Sequence, residues 1–557
     1  MKLKGFGNRT YNIFFHLHTV SGIVLAVALF VIFFAGAFTL FKSEFYLWEN
    51  PAARTVKLQE TDLAEVVTRL QQSLTDFDLD DDTYITFARP ENPVIGIYGH
   101  IKPEGAEEEV HYAGKMNPVT YAVSDKAEST VGETLYKLHY FAQVPFAGMW
   151  IAGFVSLFFI FATVTGVLVH WKNMLTKFWA FSFQGTWKQI WTNGHTVFGL
   201  LGLPYQFMYA VTGAFYLLLL LVLLPAVMVF YEGKPEKVYA LAYPMYGVEY
   251  NEQAPVFDHT ANLASAYRKV SQQYGAAFDI LAVQTHHVHK EDGVANFRLV
   301  SKDKSIFASN GYIGYRLKDG TELYNALPGK NKKWTYAIVE AVMHLHFASF
   351  GGLVVKGLYF VMALFSCFVF VSGILIWKEA RDNNRYTASQ KDFHRKVTKV
   401  FLAICFTLFP ATALLFSTEL LMPGGENHVF RVNTVFFVSW LLMALLAMVL
   451  PGSEKAITRF SLLTGGFFSL LVPLVNGLST GHWFWKTPLT QVWATDVFWL
   501  VSGVLSFSVL QFMRPVPPRE ARVFSMDRTA MQITKKPRKR AKAISGSAFG
   551  DSAGGSR

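Results

Sequence analysis

The stretch Phe15-His16-Leu17-His18-Thr19-Val20-Ser21-Gly22, running into the apolar segment Ile23 to Phe41, decides how this chain is read. A helix needs roughly 20 apolar residues to cross about 30 Å of hydrocarbon, and this segment is long enough. It is led by a histidine one helical turn ahead of a glycine. The spacing of His18 and Gly22 returns as His195 and Gly199. Looser forms return as Leu138-His139 ahead of Gly148 and Leu345-His346 ahead of Gly351.

Working outward, the 557 residues are 52% hydrophobic and only 16% charged, which suits a membrane protein with some soluble mass. Eight apolar runs are of spanning character: 22–41, 148–171, 199–230, 357–377, 400–420, 435–450, 462–478 and 492–513. The net charge of +11 does not signal nucleic-acid binding, because its distribution follows the spans. Lys2, Lys4 and Arg9 precede the first. Lys172, Lys177 and Lys188 follow the second. Lys378 to Lys399 follow the fourth, and Lys455 and Arg459 separate the sixth from the seventh. Eight spans put all of these on one side, and the positive-inside rule makes that side the cytoplasm, with both termini there. The first run is read as a retained anchor, since no small-residue cleavage site follows it before Glu44. The expected location is the bacterial inner membrane, with the bilayer as a partner.

The domain plan follows. Residues 1–42 hold the N-terminus and first span, and 43–138 a first outer α+β unit. Residues 139–231 hold two spans and a cytoplasmic loop, 232–335 a second outer α+β unit, and 336–382 the fourth span. Residues 383–514 form an accessory four-helix region, and 515–557 a disordered basic tail. In the first outer unit, 63–74 predicts an amphipathic helix, with strands at 83–87 and 94–100. In the second, 260–274 predicts a helix, with strands at 278–288, 295–301 and 305–316 and one more short strand after the Lys318-Asp319-Gly320 turn. Span, α+β unit, span therefore occurs twice, an internal repeat. The fold class is a mainly α-helical membrane protein of about eight spans with two small outer α+β domains.

Chemistry rests with the histidines. His18 and His195 precede spans that start on the cytoplasmic side, so they share a depth near that face. His139 and His346 precede spans that start outside, so they share a depth near the other face. Two cross-helix imidazole pairs result. Paired imidazoles suit low-spin b-type haem, with both axial positions filled, which favours electron transfer over oxygen chemistry. Gly22, Gly199 and Gly351 would let a flat macrocycle approach the backbone. His16 and His344 stand two residues from nominated ligands and are the alternatives under a shifted register. His170, at the inner end of the second span, is a further candidate for the inner pair. Lys356 either pairs with a haem propionate or snorkels to the interface. His287 and His289, on one face of a strand, offer metal-binding geometry, against which stands a plain polar edge strand. Cys367 and Cys405 lie inside apolar runs as packing residues, and no C-x-x-C-H motif exists, so haem would be held by coordination and packing alone. No dinucleotide fingerprint, Walker A loop or hydrolase triad signature occurs. A separate electron donor, a quinol or a reductase, is therefore required.

At these residues the sequence resembles the PepSY-associated transmembrane family, which includes iron-regulated inner-membrane proteins and ferric-siderophore reductases of Gram-negative bacteria. The resemblance rests on His18-Thr19-Val20-Ser21-Gly22, Gly36-Ala37-Phe38, Leu138-His139 and Val164-Thr165-Gly166. It continues through Gly194-His195, Val211-Thr212-Gly213, Leu345-His346 and Ser372-Gly373, from about Arg9 to Asp382. It implies PepSY-like outer units, His18, His139, His195 and His346 as haem ligands, and two haems b. It also implies electrons passing from the cytoplasmic side to a periplasmic ferric chelate such as a ferric siderophore. The approach from His139 to Gly148 is longer and contains Pro145, and the last four spans lie outside the resemblance. Two rival readings stand beside it. One is a non-enzymatic membrane protein whose PepSY-like units bind a periplasmic peptidase or envelope partner. The other is a transporter, for which the last four spans offer no carboxylate pair or paired broken helices.

Overall fold

The computed structural model describes residues 6–513 except 55, 57–60, 91, 103–108, 125–127, 174, 175, 177, 178, 180–184, 453 and 487–489. The expected disordered tail and Lys177 lie outside the described residues. Helix α1, Asn8–Thr39, starts well before Gly22, so His16 and His18 sit within it rather than ahead of it. From Leu25 to Phe38 almost every α1 side chain is buried, on all faces of the helix. Such a helix belongs at the centre of a bundle. It packs between α5, Gly148–His170, and α10, Gly352–Arg381. Hydrocarbon is as apolar as leucine, so small residues and close packing hold these helices together rather than burial from water.

Lys42–Glu49 forms α2, and Leu63–Ser73 forms α3, capped by Asp62 Oδ1 accepting from the Ala64 N–H at 3.0 Å. Strands β1 (Phe77–Asp78), β2 (Thr83–Thr86), β3 (Ile95–Ile101), β4 (Val110–Met116) and β5 (Val123–Ser124) follow, then α4, Thr130–His139. The expected third span divides at Gly202 into α6, Trp187–Leu201, and α7, Leu203–Phe230. Helix α7 bends by 43° near residue 220. Pro225 explains the bend, since its ring crowds the carbonyl of Leu221 and donates no hydrogen bond to it.

The second outer segment contributes α8 (Thr260–Tyr274), β6 (Phe278–His286), β7 (Val294–Ser301), β8 (Asn310–Arg316), β9 (Glu322–Ala326) and α9 (Trp334–Phe347). The two segments are not separate units. Strands β2 and β6 pair antiparallel, Thr83 with Thr285 through Thr86 with Ala282, and join everything into one nine-stranded sheet. The order is β5-β4-β3-β2-β6-β7-β8-β9, with β1 also on β3. Helices α3 and α8 cover one face. Leu63, Val67 and Leu70 of the first and Leu263 and Val270 of the second share a core with Ile85, Ile97, Val283 and Phe297.

Two strand boundaries differ from the reading above for local reasons. Strand β6 stops at His286 because His287 takes φ +55°, so His287 and His289 do not share a strand face. Strand β8 starts at Asn310, since Asp303 Oδ1 accepts from the Ser305 N–H at 2.9 Å and closes a turn there. The accessory helices α11 (Ala388–Leu421), α12 (His428–Val449), α13 (Glu454–Thr480) and α14 (Thr490–Phe512) complete a multi-pass membrane protein: among the described residues seven helices are long and apolar enough to span, and eight if bent α7 is taken as one span. Glu419 and Asp496 are buried among them. Each is committed to protein groups: Glu419 to His428 at 2.9 Å, Asp496 to Trp48 at 2.8 Å and Asn476 at 2.7 Å.

Candidate functional site

The structure brings the four nominated histidines together in two pairs. The ring centroids of His18 and His195 are 6.1 Å apart, and those of His139 and His346 are also 6.1 Å apart. Each pair joins one half of the repeat to the other.

The four rings are held alike, through Nδ1. In His18 it lies 2.9 Å from the Ala162 carbonyl, in His195 3.0 Å from the Val369 carbonyl, and in His139 2.7 Å from the Ile32 carbonyl. A carbonyl can only accept, so these Nδ1 atoms carry the proton and Nε2 keeps its lone pair. His346 Nδ1 lies 2.8 Å from Thr212 Oγ1. The Thr212 hydroxyl donates to the Met208 carbonyl at 2.8 Å, so it accepts from His346, and the same tautomer results. An Nδ1–H anchored to a protein oxygen, with Nε2 presented, is how proteins orient imidazole ligands.

Small residues make room for the rings. A Cβ on Gly36 would lie 2.7 Å from His139 Nδ1, and one on Gly166 would lie 3.0 Å from His18 Cε1. The equivalent distance from Gly373 to His195 Cε1 is 3.4 Å. These glycines obey the internal repeat. An offset of 177 residues (195 − 18, 213 − 36) relates His18 to His195 and Gly36 to Gly213. An offset of 207 (346 − 139, 373 − 166) relates His139, Ala162, Thr165 and Gly166 to His346, Val369, Ser372 and Gly373. For His18 and His195 the anchor and the seating glycine are thus repeated together, whereas Gly213 meets Ser156 rather than a ring, and His346 is anchored by Thr212 where His139 uses the Ile32 carbonyl. Gly22 and Gly199 face open space, and Gly351 would meet Val355 one turn along its own chain, so the glycines that seat the rings are not those singled out by spacing.

The helices bearing the sheet-side pair are fastened at their other ends. The N-terminal N–H groups of α4, which ends at His139, are met by the buried Glu49 carboxylate: Thr130 N–H at 2.8 Å and Val131 N–H at 3.0 Å. Helix α9, which carries His346, is tied to β8 through buried Glu340, which accepts from the Asn310 N–H at 2.6 Å and from Lys332. Tyr209 and Tyr216 pack on the His346 ring at 5.0 and 5.1 Å, and the Tyr209 hydroxyl donates to the His346 carbonyl at 2.7 Å.

The other candidates separate cleanly. His16 is exposed, on the far side of α1 from His18. His344 has both ring nitrogens occupied, Nε2 by Glu340 at 2.9 Å and Nδ1 by Ser349 at 2.5 Å, which leaves no lone pair for a metal. His170 ends α5, half-buried, close enough to His195 to interact with it electrostatically. Lys356 pairs with Glu44 at 2.8 and 3.0 Å. Cys367 and Cys405 are buried free thiols, as expected.

The residues present fit haem on three counts. Two imidazoles bound to one iron, with bonds of about 2 Å and ring centres about 1.15 Å further back, place their centroids roughly 6.3 Å apart, close to the separation in both pairs. All four tautomers present Nε2. A cavity of ≈ 260 Å³ opens beside the sheet-side pair, lined by both histidines, Gly36, Gly213, Tyr209 and Tyr216.

The comparisons with known proteins agree with this architecture. The chain is 25% identical over 335 residues to uncharacterized protein PA4219 of Pseudomonas aeruginosa, a match covering 58% of this chain and 80% of that protein. The model of the PepSY-associated TM region matches residues 15–380, which span all four histidines, their glycines and the whole sheet, and the chain belongs to that family.

Proposed function

We propose that this protein is a haem b-bearing oxidoreductase of the bacterial inner membrane. In this reading it passes electrons from a cytoplasmic-side donor, a quinol or a reductase, to a ferric chelate, a ferric siderophore in iron acquisition, on the sheet-bearing side. The observation that carries the reading is the pair of histidine pairs, one towards each end of the bundle, each at 6.1 Å with a fixed tautomer.

His18 and His195 would hold one haem, and His139 and His346 the second. Bound haem would supply a one-electron Fe(III)/Fe(II) couple at each site. The chain's own residues do the rest. The Nδ1 anchors fix ring orientation and raise ligand basicity. Along α5, Gly166 adjoins the first pair and Ser156 lines the cavity of the second, ten residues and about 15 Å away. That spacing divides the membrane crossing into shorter hops. Between the sites, Phe33, Phe159 and Phe370 form a mutual aromatic cluster with centroids 5.4 to 5.7 Å apart. Phe33 and Phe159 line the cavity, while Phe370 adjoins Val369, the anchor of His195. The cluster keeps water out of the gap. The basic residues around Lys378 and Arg381 lie at the end of α10 away from the sheet, which supports a cytoplasmic assignment for that side.

The test uses proteoliposomes loaded with a reduced viologen, with a ferric hydroxamate and an Fe(II)-trapping dye outside. Wild-type protein should generate Fe(II), and His18→Ala or His346→Ala should abolish the protein-dependent rate. Equal rates in the variants would overturn the reading.

A further inference from the structure

We propose that the sheet carries a second, non-haem metal site, in which His100, His286, Asp81 and Asp82 bind one divalent first-row transition ion of the zinc type across the junction of the two outer segments. The proposal does not depend on the haem reading, since it uses none of the same residues.

The backbone places these side chains together. Tyr84 of β2 pairs with Tyr98 of β3 on one side and with Gln284 of β6 on the other, so these three share a face. Two residues further along each neighbour stand His100 and His286, which therefore lie on that same face, on the strands flanking β2. Between β1 and β2, both of which pair with β3, the chain bulges out as Leu79–Asp82. The bulge is held against the second segment by the His287 N–H donating to the Asp80 carbonyl at 3.0 Å and the His289 N–H donating to Asp80 Oδ1 at 2.5 Å. It delivers two carboxylates between the two imidazoles: Asp81 Oδ2 is 2.6 Å from His100 Nδ1, and Asp82 Oδ1 is 3.4 Å from His286 Nδ1.

A second observation points to a ligand rather than to ion pairs. Nδ1 of His100 and Nδ1 of His286 are both sealed from solvent, and neither makes an aligned hydrogen bond despite the nearby carboxylates. Imidazole and carboxylate groups that converge without a well-aligned hydrogen bond are donors that a metal ion, displacing the ring proton, can draw together. One ligand atom from each of Asp81, Asp82 and His286 lies within 4.8 Å of the others, as does one from each of Asp81, His100 and Glu109. Bonds of about 2.0–2.2 Å require ligand atoms roughly 3.4 to 4.2 Å apart, so small side-chain adjustments close the Asp81, Asp82 and His286 group, and Asp81, common to both groups, brings His100 in beside them.

The donor chemistry sets the class. Two imidazoles with two carboxylates suit Zn(II), Fe(II), Ni(II) or Cu(II), whereas Mg(II) and Ca(II) prefer all-oxygen sites. The neighbouring His287 is not a ligand. Its Nδ1 meets Asp292 at 2.8 Å, and Lys290 Nζ stands 3.2 Å from its Nε2. Because Asp81 and Asp82 come from the first segment and His286 from the second, a bound ion clips the two halves of the sheet across β2 and β6.

The test is equilibrium dialysis of the chelator-stripped full chain, purified on a histidine-free tag, against Zn(II), with metal counted by mass spectrometry. Wild-type protein should take up one Zn(II) and ignore Mg(II). His100→Gln and His286→Gln should each weaken uptake by about tenfold or more, while His428→Gln should not. Zn(II) should also slow amide hydrogen exchange in the wild-type 79–82 bulge and at the end of β6, a readout that needs no variant. No stoichiometric uptake, uptake unchanged in both Gln variants, equal uptake of Mg(II), or unaltered exchange at the bulge would overturn the site.

Discussion

Replacing Gly36 by alanine adds one methyl group at the back of the His139 ring. That Cβ would lie 2.7 Å from Nδ1 and 2.8 Å from Cε1, where ordinary contact begins near 3.4 Å, so the ring must retreat by about 0.7 Å (3.4 − 2.7). It has little freedom to do so. Nδ1 is tied to the Ile32 carbonyl, on the same helix as the new methyl, and α4 is pinned at its other end by Glu49. Overpacking of this kind costs about 1–3 kcal/mol. Taken from the sheet-side haem, that is roughly a 5- to 150-fold loss of affinity. Gly166→Ala needs a retreat of 0.4 Å (3.4 − 3.0) from His18 and should cost less, at the other haem. Gly373→Ala meets His195 at 3.4 Å and should be nearly silent. The assay is haem stoichiometry on purified variants, with the two sites told apart by redox titration. Refutation would be Gly36→Ala loading both haems as wild type does, or Gly373→Ala proving the most damaging of the three.

Three other outcomes follow from named contacts. Thr212→Val leaves His346 Nδ1–H without an acceptor, so the sheet-side haem should bind about 10- to 100-fold more weakly while the His18/His195 site is unchanged, as haem retention at limiting dilution would show. Lys356→Met strands the Glu44 carboxylate and should cost roughly 3 kcal/mol, read as a lower Tm, with Glu44→Gln added in the same chain restoring most of it. The sheet should also loosen in acid. Asp258 is held below the usual carboxylate range by the Thr260 N–H and hydroxyl, and Asp292 by the Asn251 N–H and His287, which outweigh its burial. A depressed carboxylate stabilises the fold above its unfolded value, near pH 4, and that contribution is lost as pH falls below it. Near-UV circular dichroism of the tyrosine-rich sheet should therefore decline below about pH 4, and Asp292→Asn should flatten the profile.

The spans and the paired histidines were legible in the sequence because both follow local rules. Apolar runs announce spans, and the β-branched and aromatic residues of Thr83-Tyr84-Ile85-Thr86 announce a strand. His18, His195, His139 and His346 stood out once orientation gave each a depth. What anchors them was not legible, because Ile32, Ala162 and Val369 act through their carbonyls and any residue supplies one. Thr212 is the exception, since its side chain carries the contact. The seating glycines left a signal that spacing within one span misses: Gly36 recurs at the offset of His18, and Gly166 at the offset of His139. The joining of the two outer segments was hidden for a different reason. Strands β2 and β6 pair across some two hundred residues, and neither carries a mark naming its partner. The pairing of Lys356 with Glu44 is likewise a meeting of two distant elements.

The central claim, two haems each held by one cross-repeat histidine pair, is tested most directly by a reduced-minus-oxidised visible spectrum with haem quantified per chain. Wild type should hold two low-spin b-type haems. His18→Ala and His195→Ala should each remove the same one, and His139→Ala and His346→Ala should each remove the other. No Soret absorption after expression with ample haem, or losses that do not sort the four variants into these two pairs, would contradict the account.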